Sequence, residues 1–317
     1  MIRCVRWLWL PLDAFDDWVR TPVDPRPLAF FRFWFGFLCL VNLLLLWNDL
    51  PMWLGNDGVL PPQTHLLLQD GTRFNLYMFT GYNDFTITLI RWCGLAGGLG
   101  LLAGFFPRVS ACAMWLAVSS FSWRNMNILH SGDNLIRIGC FFLMFAHSGE
   151  AFTLRRWIAT RRAGVRLKPF RHIPAWPQRI LQLQLCVAYF VAGMWKATGV
   201  AWQSGTAVGT VLQLGEFQRF PIPDWVMTPI VSQLMTHGTL LFELGFPFLI
   251  WIPSLRMPVL LVGIVFHAGL EWTMNVQLFQ WLITAYYILF LGPLFSRSTQ
   301  ATAIGPAATT AGPACSA

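Results

Sequence analysis

Eight apolar stretches separated by polar connections dominate the chain. They cover approximately residues 28–47, 85–105, 108–123, 134–147, 179–197, 229–252, 257–273 and 276–294. A helix needs roughly 20 apolar residues to cross a membrane, and the first, second, fifth, sixth and eighth stretches reach that length. The third and fourth reach it only by including polar residues between them, which must then face protein or water. The pattern therefore predicts an all-α, polytopic membrane helix bundle of about eight transmembrane helices.

The distribution of basic residues predicts the orientation of this bundle. The connection over residues 148–178 is strongly basic and carries Arg155, Arg156, Arg161, Arg162, Arg166, Lys168 and Arg171. Such segments stay in the cytoplasm. Alternation from this connection places the N- and C-termini in the cytoplasm and residues 48–84 outside, where Arg73 is the only basic residue. Turn-forming residues within 48–84 predict an ordered external cap rather than a linker.

Three segments follow from this pattern. Residues 1–26 form an interfacial segment, in which residues 3–20 are expected to lie on the membrane as an amphipathic helix. Residues 27–295 form the transmembrane domain, and residues 296–317, which are rich in Ala, Thr, Gly and Pro, are expected to be disordered.

Composition narrows the possible function classes. The chain is 56% apolar and only 11% charged, so lipid is its expected partner. Its net charge of +8 is concentrated in one connection, which argues against nucleic-acid binding. Seven cysteines and six histidines show no metal-ligand spacing, and five of the cysteines lie within apolar runs as packing residues, so no metal is expected. Nucleophile elbows, HExxH motifs and P-loops are also absent from the sequence.

Lys196 is the first candidate for chemistry. It lies at or just within the predicted outer end of the fifth apolar stretch. Burial there would favour a neutral amine that can accept a proton. The alternative is a lysine that marks the helix end and extends to the interface.

A second group of polar residues lies where the third and fourth stretches meet. It consists of Arg124, Asn125, His130, Asp133 and Arg137. The spacing allows His130, Asp133 and Arg137 to share one helical face, although the two charged residues could simply neutralise each other. Asn125 could donate to a ligand oxygen or join two helices.

His267 and Glu243 lie inside later stretches. His267 could orient a base or bind a ligand, or it could make an interhelical hydrogen bond. Glu243 needs a partner or stays protonated, and Arg32 could be that partner or could extend toward the cytoplasm. With Arg32, Glu243 could also form the midplane relay of a transporter, but the two halves show no repeated pair of broken helices.

Several motifs together resemble a known family. They are Phe30-Phe31-Arg32-Phe33, Trp53-Leu54-Gly55, Gly58-Val59-Leu60-Pro61, Ser122-Trp123-Arg124-Asn125, Tyr189-Phe190-Val191-Ala192-Gly193 with Lys196 and Trp202, Gly205-Thr206-Ala207-Val208, Glu243 with Pro247, and Phe266-His267 ahead of Met274 and Phe279. In this order the chain resembles, over about residues 25–295, the vitamin K-dependent gamma-carboxylase-like membrane proteins, also called the HTTM family.

The resemblance implies a lysine base at Lys196 that deprotonates a reduced naphthoquinone, such as reduced vitamin K or menaquinone. In the family's carboxylases, reaction with O2 yields a stronger base, which removes a γ-proton from a peptide glutamate before CO2 adds. His267 matches a functional histidine. The residues expected to hold the quinone or a peptide or small acidic substrate are Asn125, Arg124, Asp133, Trp195, Tyr189 and Trp202. Glu243, Arg32 and Arg137 are expected to be structural.

The sequence also departs from the animal carboxylases. Asn125-Met126 stands where they have Asn-His, so one catalytic histidine is missing unless His130 replaces it. Only a short tail follows Ser296, in place of a large lumenal portion. Shorter bacterial members are more similar in length, including those that resemble sporulation-delaying protein B, so a bacterial inner membrane with a periplasmic active face is expected. A non-enzymatic partner in the maturation, export or immunity of a secreted peptide is the alternative function.

Overall fold

A computed structural model describes residues 6–68, 73–163 and 169–295. Within these ranges the protein is all-α, as predicted, and its only β-contacts are two isolated bridges. The predicted tail, Arg3, Cys4, Cys315, and Arg166 and Lys168 of the basic connection lie outside the described residues.

The described helices follow the eight apolar stretches and add shorter elements between them. The first seven are α1 (Arg6–Arg20), α2 (Arg26–Leu46), α3 (Leu50–Leu54), α4 (Pro62–Leu68), α5 (Tyr77–Thr80), α6 (Asp84–Ala103) and α7 (Pro107–Arg124). The remaining ones are α8 (Ser131–Leu143), α9 (Leu154–Ala163), α10 (Trp176–Ala197), α11 (Val200–Gln203), α12 (Ala207–Leu212), α13 (Pro229–Leu249), α14 (Pro253–Thr273) and α15 (Phe279–Tyr287). Short 3-10 turns cover Met126–Ile128, Asp224–Met227 and Ile288–Phe290.

Four of these helices are long and apolar enough to cross a membrane, namely α2, α6, α10 and α14. Helices α7, α8, α13 and α15 pack beside them. Eight spans and a cytoplasmic location of both termini stay predictions.

Helix α2 lies at the centre of the packing. It contacts α6 on one side and α15 on the other, while α10 pairs with α13 and α7 pairs with α6 and α8. The ring of Phe31 lies 4.9 Å from that of Phe35 and 5.0 Å from that of Tyr286. Small residues permit this proximity, since a Cβ added at Gly139 would lie 2.5 Å from the Phe35 ring.

Arg32 connects α2 to the end of α6 and to the connection between α8 and α9. Its buried guanidinium donates to the carbonyls of Ser148, Leu101 and Phe152, the last at 2.6 Å. Gly104 ends α6 in a left-handed conformation (φ 68°), where a Cβ would lie 2.6 Å from Arg32 Nη1. Arg32 therefore donates hydrogen bonds to backbone carbonyls, and Lys196, not Arg32, is the partner of Glu243.

The cap, residues 48–84, contains the short helices α3, α4 and α5. Leu50, Leu54 and Tyr77 of the cap are buried against Ile90 of α6 and Phe121 of α7. Apolar burial of this kind holds the cap on the bundle. Its location on the outer side of a membrane stays a prediction.

Candidate functional site

Lys196 and Glu243 form an ion pair between α10 and α13. Lys196 Nζ lies 2.6 Å from Oε1 and 2.6 Å from Oε2 of the same carboxylate. The Glu243 side chain is 8% exposed and that of Lys196 is 28% exposed. The pair is thus largely shielded from solvent, with its open side at the amine. We call this pair the Lys196–Glu243 site.

The local sequence explains why the two helices meet at this point. Gly193, one turn before Lys196, faces α13, and a Cβ there would lie 3.2 Å from Glu243 Cβ and 2.8 Å from a Leu244 methyl. Gly193 therefore lets α10 approach α13 without displacing the Leu244 side chain. Glu243 comes 14 residues after the first residue of α13, about 21 Å along the helix.

The connection over residues 198–228 continues along α13 beyond the end of α10. The Val208 amide donates to Thr236 Oγ1 at 3.1 Å, and the Gly209 amide donates to Ser232 Oγ at 3.1 Å. Lys196 Nζ lies 5.5 Å from the centre of the Trp202 ring in this connection, within cation–π range. Lys196 is therefore partly covered by Trp202 of this connection and does not lie at a free helix end.

His267 belongs to a buried chain of hydrogen bonds on the same side of the bundle. His267 Nε2 lies 2.5 Å from the Tyr189 hydroxyl, which also lies 2.5 Å from the Tyr287 hydroxyl. On the opposite edge of the imidazole, Nδ1 contacts Gln280 Oε1. Because an amide oxygen only accepts, Nδ1 carries the hydrogen and Nε2 accepts from Tyr189. Both ring nitrogens are consequently occupied.

Aromatic rings enclose this chain. The Tyr189 ring lies 4.5 Å from that of Phe246 and 5.5 Å from that of Phe242, and Phe242 lies 5.1 Å from Phe266. Tyr189 precedes Lys196 by seven residues, so it lies about 10 Å away along the same face of α10. The Lys196–Glu243 site thus lies about two helical turns from this group of aromatic rings.

At the junction of α7 and α8, Arg124 and Asn125 bind the backbone of the cap. Arg124 Nη2 donates to Leu60 O at 2.6 Å, and its guanidinium lies 5.5 Å from the centre of the Tyr82 ring. Burial raises the pKa of Tyr82, so the ring is a neutral phenol in this contact. Asn125 Nδ2 donates to Trp53 O at 3.4 Å. Both side chains fasten the cap.

His130 and Asp133 form the N-terminal cap of α8. The Gly132 amide donates to His130 Nδ1 at 2.9 Å, and the His130 amide donates to Asp133 Oδ2 at 3.1 Å. This is the reciprocal pattern of a capping box. Arg137 donates to Asn134 Oδ1 at 2.8 Å and stacks 4.3 Å from the centre of the Trp123 ring.

The structure therefore divides the residues singled out in the sequence into two groups. Lys196, Glu243 and Trp202 meet at one site, and Tyr189 and His267 meet in the neighbouring chain. The residues Arg124, Asn125, His130, Asp133 and Arg137 gather at the α7–α8 junction. Trp195, at 76% exposed, points away from the bundle.

Sequence reasoning missed Tyr287, Gln280 and the connection over residues 198–228. The two side chains lie in a plain apolar stretch, with no spacing that distinguishes them. The connection did carry a signal, because Gly199, Gly205, Pro221 and Pro223 break the helical pattern within 25 residues.

A family model of the HTTM domain matches residues 20–299. The match covers most of the chain, and the protein belongs to this family. The apolar helices and the family together indicate an integral membrane protein of the vitamin K-dependent carboxylase-like class. No solved structure was found to match the chain.

Proposed function

We propose that this protein oxidises a reduced naphthoquinone at the Lys196–Glu243 site and couples that oxidation to the modification of a peptide or small acidic substrate. Lys196 accepts the phenolic proton of the quinol. With O2, a quinol gives the quinone epoxide and one water, so atoms and electrons balance without a metal. If the coupled step is carboxylation, CO2 is the further substrate. The HTTM family supports this class of reaction.

The close contact of Lys196 with both oxygens of Glu243 is the observation that carries the proposal. An amine can accept a proton only in its neutral form. A single proton moving from Nζ to the carboxylate converts the ion pair into an amine and a carboxylic acid. Low polarity brings these two forms closer in free energy, because burial penalises charged groups.

The surroundings also fit an aromatic substrate. Trp202 lies over the amine, and Phe242, Phe246 and Phe266 form an apolar layer alongside. In this proposal Trp202 stacks on the naphthoquinone, and the phenylalanine rings keep water away from the proton transfer. His267 is assigned a positioning role, since both of its nitrogens are already hydrogen-bonded.

The test is anaerobic incubation of the purified protein with reduced menaquinone, followed by O2 and detection of the epoxide. General-base catalysis contributes about 10²–10⁴-fold to a rate, so Lys196→Met is expected to reduce epoxide formation by at least about a hundredfold. Wild-type protein that forms no epoxide above the spontaneous rate, or Lys196→Met with full activity, would contradict the proposal.

A double variant separates chemistry from folding. Removing Lys196 alone leaves a buried carboxylate, which destabilises a protein by about 3–5 kcal/mol. In Lys196→Met/Glu243→Gln the charge is gone, so thermal stability is expected to return while epoxide formation stays absent. Recovery of both together would show that Lys196 acts through stability alone.

Binding of a secreted peptide without catalysis is a second candidate function, and one feature of the cap favours it. The side chains of Leu66, Leu67 and Phe79 are 57%, 87% and 68% exposed, which gives the cap an apolar surface. If this surface carries the function, Leu67→Glu abolishes the cellular phenotype and Lys196→Met leaves it intact. The quinol proposal predicts the reverse.

A further inference from the structure

A groove lies at the far end of α6 from the cap, where α6, α7 and α9 meet. It has a volume of 710 Å³, within the range of roughly 300–1,000 Å³ that ligand pockets occupy. Glycine and alanine residues form its floor, including Gly97, Gly100 and Ala103. Leu99, Phe106 and Val109 are each at least half exposed at its walls, so the groove is open along one side.

The groove is apolar except at one end. Its two polar lining residues are Ser110 and Arg155, and Ser110 Oγ already donates to Phe105 O at 2.8 Å. Arg155 is exposed and makes no hydrogen bond or ion pair within the described ranges. The neighbouring residues 164–168 contain no acidic residue either. One unneutralised guanidinium thus stands at the end of an apolar channel.

The helix that carries Arg155 adds further positive charge. Within its ten residues α9 has four arginines and no acidic residue. Arg162 follows Arg155 by seven residues and lies on the same helical face. A ligand that complements the groove must combine a long apolar chain with an anionic head.

From this combination we infer that the groove binds an anionic glycerophospholipid, with an acyl chain along the glycines of α6 and the phosphate at Arg155. Basic pockets beside membrane helices bind such headgroups. A quinone has the apolar chain but no negative charge, so it leaves Arg155 unsatisfied. The inference does not depend on the proposed function, because the Lys196–Glu243 site lies on other helices.

The experiment titrates the purified protein in detergent with phosphatidylglycerol, phosphatidylcholine of the same acyl chains, or menaquinone, and counts bound molecules by native mass spectrometry. The wild type is expected to retain phosphatidylglycerol in preference to both others. Arg155→Gln is expected to weaken that binding roughly fivefold, which corresponds to about 1 kcal/mol per arginine near an anionic headgroup.

The test variants are Arg155→Gln and Val109→Trp, and each has a matched control. Arg161→Gln removes the same charge from α9, but Arg161 stacks on Trp157 at 5.2 Å and does not line the groove, so binding is expected to stay within twofold of wild type. Val109→Trp narrows the groove and is expected to reduce binding, whereas Val262→Trp adds the same indole to an exposed position on α14 and is not. Thermal unfolding without added lipid identifies any variant that is misfolded.

Some outcomes overturn the inference. These are equal retention of phosphatidylglycerol and phosphatidylcholine, preferential retention of menaquinone, or undiminished phosphatidylglycerol binding in both Arg155→Gln and Val109→Trp. Weakening by Arg161→Gln equal to that by Arg155→Gln also overturns it, because the effect would then follow the net charge of α9 and not the groove.

Discussion

Lys196 and Arg124 are both cations in the last turn of a long helix, yet their partners differ in kind. Lys196 binds the side chain of Glu243, a group that can take up a proton. Arg124 binds the carbonyls of Gly55 and Leu60, which cannot. A carbonyl acceptor fixes geometry, while a carboxylate acceptor also permits proton exchange. The comparison supports the proposal that proton transfer takes place at the Lys196–Glu243 site, whereas Arg124 holds the backbone of the cap.

Like Arg124, Arg32 binds backbone carbonyls, and it binds more of them. Its loss therefore tests the structural role of such a cation. Arg32→Met leaves the buried carbonyls of Ser148 and Ala151 without their side-chain donor. Each such group costs about 1–3 kcal/mol, so destabilisation of about 3 kcal/mol or more is expected. Arg32→Lys is not expected to rescue the fold, since one ammonium cannot reproduce the planar fork that reaches Leu101, Ser148 and Phe152. Thermal unfolding in detergent measures both variants, and a wild-type midpoint for Arg32→Lys would contradict the geometry.

Tyr189 provides the next test, because it is the middle member of a chain of side chains. Tyr189→Phe removes the donor to His267 and the acceptor of Tyr287 together, so a loss of about 2 kcal/mol is expected. Tyr287→Phe removes only one of these bonds and is expected to cost about 1 kcal/mol. Unfolding midpoints of the two variants give the comparison. If Tyr287→Phe proves as costly as Tyr189→Phe, Tyr189 is not the middle member of this chain.

His130 distinguishes a helix cap from a catalytic histidine. If His130 acts as the cap of α8, His130→Ala costs about 1 kcal/mol and His130→Asn restores most of it, since asparagine is also a good N-cap. Epoxide formation per folded molecule is then unchanged in both variants. A catalytic His130 predicts loss of epoxide formation in both, whatever their stability. Circular dichroism melts and the epoxide assay on the same samples decide between the two roles.

The sequence predicted the helical class and gave Lys196 as a candidate base, and physical reasons explain what it left open. Apolar stretches of about 20 residues are local patterns, so α2, α6, α10 and α14 can be identified from composition. The sequence offered Arg32 as a partner of Glu243 and did not pair Glu243 with Lys196, because that ion pair is a contact between two helices. Gly193 faces Glu243 across the contact of α10 with α13, and no local sequence pattern encodes that packing.

The contacts at the α7–α8 junction were also difficult to predict from the sequence, for a related reason. The spacing of His130, Asp133 and Arg137 favours a shared helical face, but α8 begins only at Ser131, so His130 lies before the helix and caps it. Arg137 binds Asn134 and the Trp123 ring. Spacing rules hold only within a helix, and the helix boundary was the missing fact.

The smallest expected effect concerns His147. Its side chain contacts that of Arg108, and this contact is exposed to solvent. Arg108 Nη2 lies 2.7 Å from His147 Nε2. Partial burial, and then the charge of Arg108, lower the pKa of His147, while Glu150 opposes them. The imidazole is therefore neutral at pH 7 and accepts from the arginine.

The sign of the pH effect follows from this lowered pKa. Below the ordinary histidine pKa of about 6.5, the unfolded chain binds a proton that the folded chain refuses. Stability is fully present above that pH and falls as the pH drops through the folded pKa. Between pH 7.5 and 5.5, wild type is expected to lose slightly more thermal stability than His147→Gln, and the difference is expected to shrink in high salt because the pair is exposed. A larger loss in His147→Gln would reverse the sign and show that protonated His147 stabilises this end of the bundle, with Glu150 outweighing Arg108.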